Sequence, residues 1–323
     1  MEIPGNEFLL PLVVGADVGG TKIAAAVVDT QGRILGRVRR ATDTASPQAT
    51  LDSIARAVEA CIHEAGVSKG DVRSVGLGIP GLVDPQNGIG VGSINLSWQN
   101  VAVSDGLQER LHLPCAIEND VKVAALGEAR FGAGKALDSL VYLSIGTGIS
   151  AAVIIDNKIY RGPSGLAGEI GHAVIRPNGP LCKCGGRGCF EALAAGPAIA
   201  ARVLDKLQDR HGSLLAGMEI TAEAVYAAAA QGDALAREVA CEVGADVAFA
   251  IQFLALAYEP QMVVLGGGVP GSGDAFLDPV RQALEHQAEE SWVFRAVYKP
   301  GFLQPTKLGS DIGILGAAAL AGS

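Results

Sequence analysis

The chain has 323 residues, 49 % of them hydrophobic and 18 % charged, and a formal net charge of −9. That length allows two domains or one large one with ample core, and the composition excludes a disordered chain. The acidic balance, with only 5 % aromatic residues, argues against nucleic acid as a partner, because such binding draws on cationic phosphate contacts or stacking platforms. A neutral substrate suits this balance.

No run approaches the ~20 uninterrupted apolar residues of a membrane span, so no membrane is expected. The opening MEIPGNEFLLPLVVG has neither the basic region nor the small-residue cleavage site of a signal peptide. Cys182, Cys184 and Cys189 cluster, whereas Cys61, Cys115 and Cys241 stand alone. This pattern predicts one metal site plus reduced thiols in a cytoplasmic chain, not a disulfide framework.

In chain order, Leu12 to Asp17 and Ile23 to Val28 are apolar runs around the turn Gly19-Gly20-Thr21-Lys22, which predicts a hairpin. Ser46 and Pro47 make an N-cap and first-turn pair for a helix over 47–66. Val72 to Ile79 predicts a buried strand, 81–105 a loop, Cys115 to Glu118 a short strand and Asp120 to Phe131 a helix. The opening pattern then returns as Leu140 to Ile145, the turn Gly146-Thr147-Gly148, and Ile149 to Ile155. The echo of IAAAVVD at 23–29 in SAAVIID at 150–156 suggests two related halves, although Ala/Val-rich hairpins resemble one another anyway. A Gly- and Cys-rich loop covers 161–189, and 191–258 is mostly helical. Met262 to Leu265 predicts a strand ending in Gly266-Gly267-Gly268. Helices are expected over about 273–288 and at the Ala-rich end. The alternation predicts an α/β fold.

Asp17-x-Gly-Gly-Thr-Lys22 offers bare backbone N–H groups, Thr21 and Lys22 to a phosphate, and Asp17 to a hydrated magnesium ion; an ordinary tight hairpin is the plain alternative. The turns at 146–148 and 266–268 are weak signals singly. With the first turn they suggest a nucleotide gripped from both sides of a cleft. In Glu118-Asn119-Asp120, Asp120 can cap the following helix, serve as general base for a hydroxyl, or do both. Cys182-x-Cys184-x4-Cys189 with His172 is a Cys3His set that suits structural zinc. Glu169 and Glu191 flank that loop, and carboxylates there can accept paired hydroxyl hydrogens of a polyol.

Together these motifs resemble the ROK family, named for repressors, open reading frames and sugar kinases, over nearly the whole chain. The carrying stretches are Asp17 to Lys22, Glu118-Asn119-Asp120 with Ala124-Ala125-Leu126-Gly127-Glu128, Gly146-Thr147-Gly148, Gly168-Glu169-Ile170-Gly171-His172, and Cys182-x-Cys184-Gly-Gly-x-Gly-Cys189-x-Glu191. The resemblance implies a hexokinase/actin-like, ribonuclease H-like α/β fold of two domains with a central cleft. The smaller domain would be 1–120, joined by a C-terminal helix over 311–323, and the larger 121–310 with the zinc loop.

The resemblance further implies an ATP-dependent sugar kinase. Asp120 would be the base for the sugar's 6-hydroxyl, and Gly81, Asn119, Glu169, His172 and Glu191 would contact the sugar. His172, Cys182, Cys184 and Cys189 would hold zinc. ATP and magnesium would lie on Asp17 and Gly19 to Lys22, Gly146 to Gly148 and Gly266 to Gly268, with Gly196 near the adenine. A homodimer or homotetramer is implied. The stretch Glu169 to Glu191 and Asn95-Leu-Ser-Trp98 resemble the family's bacterial glucokinases, so glucose is the expected hexose; N-acetylglucosamine, N-acetylmannosamine, mannose and fructose are the alternatives.

Two positions depart from the family pattern. Val121-Lys122 replaces small polar residues after Asp120, which sets a cation near the base, and Ser150 puts a side chain where the family keeps bare backbone. Two other functions compete. One is a sugar-sensing repressor, for which the roughly ten residues before the first strand are too few for a helix-turn-helix. The other is a sugar-binding protein without kinase activity, against which Asp17, Lys22 and Asp120 argue.

Overall fold

A computed structural model describes residues 11–208 and 212–322. The segment read for a leader therefore lies, over residues 1–10, outside the described residues, as does Ser323 of the expected last helix. Two units divide the chain. The first comprises 1–137, 157–166 and 307–323, and the second 138–156 and 167–306.

The first unit holds β1 (Leu12–Val18), β2 (Lys22–Val28), β3 (Ile34–Ala41), α1 (Pro47–Glu64), β4 (Val72–Ile79), β5 (Leu82–Asp84), β6 (Ile89–Ser93), β7 (Trp98–Ala102), α2 (Val103–Leu111), β8 (Cys115–Asn119) and α3 (Asp120–Phe131). Its sheet runs β3-β2-β1-β4-β8, with β1 antiparallel to β2 and parallel to β4. Ser46 caps α1, its hydroxyl accepting from Ala49 N at 3.1 Å ahead of Pro47, as the sequence signals predict. The stretch 81–105, expected as a loop, instead carries the antiparallel meander β5-β6-β7 and the start of α2. Its strands are too short and Gly-rich for a period-2 signal, and buried Leu96, Trp98 and Val103 hold them to the core.

The second unit holds β9 (Leu140–Ile145) and β10 (Ile149–Ile155), while β11 (Lys158–Tyr160) falls in the first unit's 157–166 segment. It continues with α4 (Phe190–Ala194), α5 (Gly196–Leu207), α6 (Ala222–Ala230), α7 (Ala234–Tyr258), β12 (Val263–Gly266), α8 (Asp274–Glu290), α9 (Trp292–Val297) and β13 (Leu303–Pro305). Strands β10-β9-β12-β13 repeat the order β2-β1-β4-β8, again with one antiparallel hairpin followed by parallel neighbours. The echo between the two hairpins thus extends to the strand order of both sheets. By length and composition α7 could cross a bilayer. Its Val239, Val243, Val247, Ile251 and Leu254 are instead buried in the unit's core, which accounts for its apolarity.

The last helix, α10 (Ile312–Ala321), packs in the first unit against β1, β4 and α3. The break expected at residue 120 therefore moves. Helix α3 stays with the first unit because Gly127 and Gly316 let α3 and α10 approach closely: a Cβ on Gly316 would sit 1.9 Å from Val123 O. The sheet meets α10 in the same way, since a Cβ on Gly76 would sit 1.9 Å from Ala317 O. Gly76→Ala is expected to lower stability by about 2 kcal/mol, an overpacking cost. Urea unfolding checks this as a drop in midpoint at unchanged slope.

Candidate active site

In the first unit, the turn after β1 is built for close approach of backbone. Gly19 N donates to Lys22 O at 2.8 Å, and the residue just after β3 braces it, with Thr42 Oγ1 donating to Gly19 O at 2.6 Å and Thr42 N to Thr21 O at 3.0 Å. A Cβ on Gly20 would meet Asn95 O at 2.7 Å. Thr21 and Lys22 are exposed and available to a ligand. Asp17 stands one residue before the end of β1, close under α10, where a Cβ on Gly313 would lie 2.6 Å from its Cγ. Burial pushes the Asp17 carboxyl above its ordinary value, and Arg39 pulls it partly back. A carboxylate short of solvent favours a nearby cation, so Asp17 fits the magnesium role.

The junction of β8 and α3 carries the carboxylate proposed as base. Asn119, not Asp120, is the N-cap: its backbone is extended, and its Oδ1 accepts from Val121 N at 3.1 Å and Lys122 N at 3.2 Å. Asp120 already has helical backbone and sits in the first turn, which corrects the expected capping role. Its Oδ1 accepts from Val121 N at 2.9 Å and from Asn119 Nδ2 at 3.0 Å. Asn119 Nδ2 also donates to Gly81 O at 3.1 Å. Gly81, at φ +102°, turns the chain where a Cβ would strike Gly92 O at 2.3 Å, so only glycine serves there. Gly81, Asn119 and Asp120 are thus one hydrogen-bonded group.

Behind this group stands an ion pair that sequence reasoning missed. Glu118 is 1 % exposed; its Oε1 accepts from Asn119 N at 2.9 Å and its Oε2 from Arg161 Nε at 2.6 Å. A buried carboxylate needs such a cation. Nothing in the sequence pairs the two residues, which are 43 positions apart. The same holds for Arg39 beside Asp17 and for Thr42 under Gly19.

In the second unit two glycine turns meet the start of α5. Gly146 N donates to Gly148 O at 2.9 Å, Gly196 N to Gly146 O at 2.8 Å and Val269 N to Ile145 O at 3.0 Å. Gly267 has φ +87°, and nothing lies within 4 Å of a Cβ placed on Gly268, so these turns present bare backbone. Gly266 is closed off by Tyr142, whose hydroxyl lies 1.9 Å from a Cβ placed there. Glu191, in the first turn of α4, braces the second turn by accepting from Ile149 N at 3.0 Å.

Glu169 is exposed, and His172 ends the short 3-10 turn that follows it. The ligand atoms of His172, Cys182, Cys184 and Cys189 all lie within 4.8 Å of one another. Cys184 Sγ and Cys189 Sγ are 3.7 Å apart, as are Cys182 Sγ and His172 Nδ1. A tetrahedron with zinc–sulfur bonds of about 2.3 Å has sulfur–sulfur edges of about 3.8 Å, so the set has the size of a zinc site. Gly186 leaves room for it, since a Cβ there would lie 3.2 Å from Cys189 Sγ. Burial and then the neighbouring thiols push Cys189 up to about 12, so these thiols call for a cation if they are to ionise together.

A description of the ROK family matches residues 13–323. The glucokinase of Streptomyces coelicolor is 36 % identical over 324 residues, 96 % of this chain and 97 % of that protein. The structure of a ROK family glucokinase from Streptomyces griseus, in complex with glucose and AMPPNP, aligns with a TM-score of 0.78 at 34 % identity, covering 96 % of this chain and 99 % of that one. The xylose repressor of Bacillus subtilis is more distant, 30 % identical over 95 % of this chain and 76 % of its own length. With its mixed α/β sheets, the chain has the actin-like sugar-kinase fold, and it belongs to the ROK family.

Proposed function

We propose that this chain is an ATP-dependent glucokinase, moving the γ-phosphoryl group of ATP to the 6-hydroxyl of glucose. The observation that carries this is the hydrogen-bonded group Gly81–Asn119–Asp120 at a helix start, in a chain similar end to end to a glucokinase. Asp120 accepts the 6-hydroxyl proton as that oxygen attacks the γ-phosphorus and ADP leaves. Gly81, Asn119, Glu169, His172 and Glu191 hold the sugar hydroxyls. The turns at 19–22, 146–148 and 266–268 offer N–H groups to the phosphates, with Lys22 adding charge and Gly196 beside the adenine. Asp17 would hold magnesium through its waters, which neutralises phosphate charge. His172, Cys182, Cys184 and Cys189 would hold structural zinc, which sets the orientation of the His172 ring.

All six cysteines are free thiols, which supports a cytoplasmic setting. Phe249, Phe253 and Leu256 line one exposed side of α7, which supports a homodimer or homotetramer. A coupled ADP-release assay with ATP, magnesium and a hexose panel tests the proposal. Glucose is expected to give a kcat/KM at least about tenfold above mannose, fructose and the N-acetylated hexosamines. No turnover of any hexose by zinc-loaded protein would sink it.

A further inference from the structure

Lys122 and Ser150, the two positions that depart from the family pattern, both end on carbonyls of one short stretch. Lys122, in the first turn of α3, is 5 % exposed, and its Nζ donates to Gly165 O at 2.9 Å. Ser150, on β10, donates through Oγ to Gly168 O at 3.3 Å. The first contact lies wholly within the first unit and the second within the second. Between them the chain passes from one unit to the other, after Leu166.

The two side chains add to backbone contacts that hold this stretch mainly at its Gly168 end. Gly165 has φ +75° and Gly168 φ +101°, a region that glycine enters at the cost of conformational freedom. Leu166, between them, is 49 % exposed. Upstream, Arg161 is tied to Glu118; downstream, Gly168 O also accepts from Ala151 N and Ile170 N, each at 2.7 Å. A buried ammonium is costly to desolvate, so Lys122 holds its carbonyl acceptor firmly. Glu169 follows Gly168 directly.

We propose that Lys122 and Ser150 are positioning residues that pin the crossing Gly165–Gly168 from its two ends and so fix the direction in which Glu169 presents its carboxylate to the sugar. The sugar role of Glu169 is part of the function proposed above; the pinning is not.

The test uses Lys122→Met and Ser150→Ala, the second a small change that should leave folding intact, with Glu169→Gln in parallel. Amide hydrogen exchange over 165–170 is expected to speed up by about fivefold in each of the first two, the scale of one lost hydrogen bond, while β9 amides stay as slow as in the wild type. KM for glucose is expected to rise about three- to tenfold, with kcat within about twofold and KM for ATP unchanged, and Lys122→Arg should restore much of it. Unchanged exchange in both variants overturns the pinning, whether or not the wild type turns over glucose. Faster exchange with an unchanged glucose KM, where Glu169→Gln raises that KM, overturns the positioning. If Glu169→Gln leaves glucose KM unchanged, the sugar role fails and the positioning with it, and exchange alone then decides the pinning.

Discussion

Asp120→Asn is expected to lower kcat for glucose by about a thousandfold, within the range usual for removal of a general base, while KM for glucose changes by less than about threefold. Asparagine keeps the size of the side chain and one acceptor oxygen. Oδ1 can still accept from Val121 N and Asn119 Nδ2, so the start of α3 survives. What disappears is a group able to take the 6-hydroxyl proton. Phosphoryl transfer gains mostly from positioning and charge stabilisation, so the size of the loss is informative. A fall of less than about tenfold would mean that Asp120 orients the hydroxyl without accepting its proton. Asn119→Ala makes the contrast. It removes the cap, at about 1 kcal/mol, and releases Gly81 O, so stability and glucose KM should both suffer.

The sequence is most legible where one local rule acts alone. The apolar runs Leu12 to Asp17 and Ile23 to Val28 around a glycine turn fall within β1 and β2, each of which is one residue longer on the turn side, and Ser46-Pro47 opens α1. The Cys3His set is readable because three of its four ligands share one loop, where spacing is a direct geometric constraint. Legibility fails where partners are distant or signals are short. The strands β5 to β7 are three to five residues long, below the length at which alternation becomes a pattern. Asn119 and Asp120 both have cap chemistry, and only the backbone decides between them: Asn119 is extended and Asp120 helical. Glu118 needs Arg161, and Lys122 needs Gly165, each 43 positions away. Lys122 thus departs from the family pattern without any sign, in the sequence, of the carbonyl it meets.

Cys189→Ser is expected to reduce bound zinc from about one ion per chain to less than a tenth of that, read by elemental mass spectrometry. Cys189 is the ligand with most at stake. It is 1 % exposed, directly precedes α4 and pairs through a β-bridge with Val174. The loop 176–188 between its ligands has exposed Leu181 and Val174 beside it and so little apolar burial to hold it. Without zinc the loop keeps short-range backbone hydrogen bonds such as Cys182 N to Gly186 O at 2.8 Å and Gly188 N to Pro180 O at 2.9 Å, the isolated bridges of Val174 with Cys189 and Leu181 with Arg187, and the ion pair of Arg176 with Asp246 at 2.7 Å, but no apolar anchor of its own among these contacts. Amide protection over 176–188 should therefore collapse while α7 stays protected. The effect should reach the sugar, because His172 Nδ1 faces Cys182 Sγ at 3.7 Å, and a ring fixed through one nitrogen presents the other in a defined direction. KM for glucose should rise by about ten- to a hundredfold, with kcat falling less than in Asp120→Asn. Wild-type chain stripped by a chelator should behave like Cys189→Ser and recover on adding zinc. If the stripped chain keeps its glucose KM, the thiols are a reduced cluster with no hold on the sugar, and His172 acts without the metal.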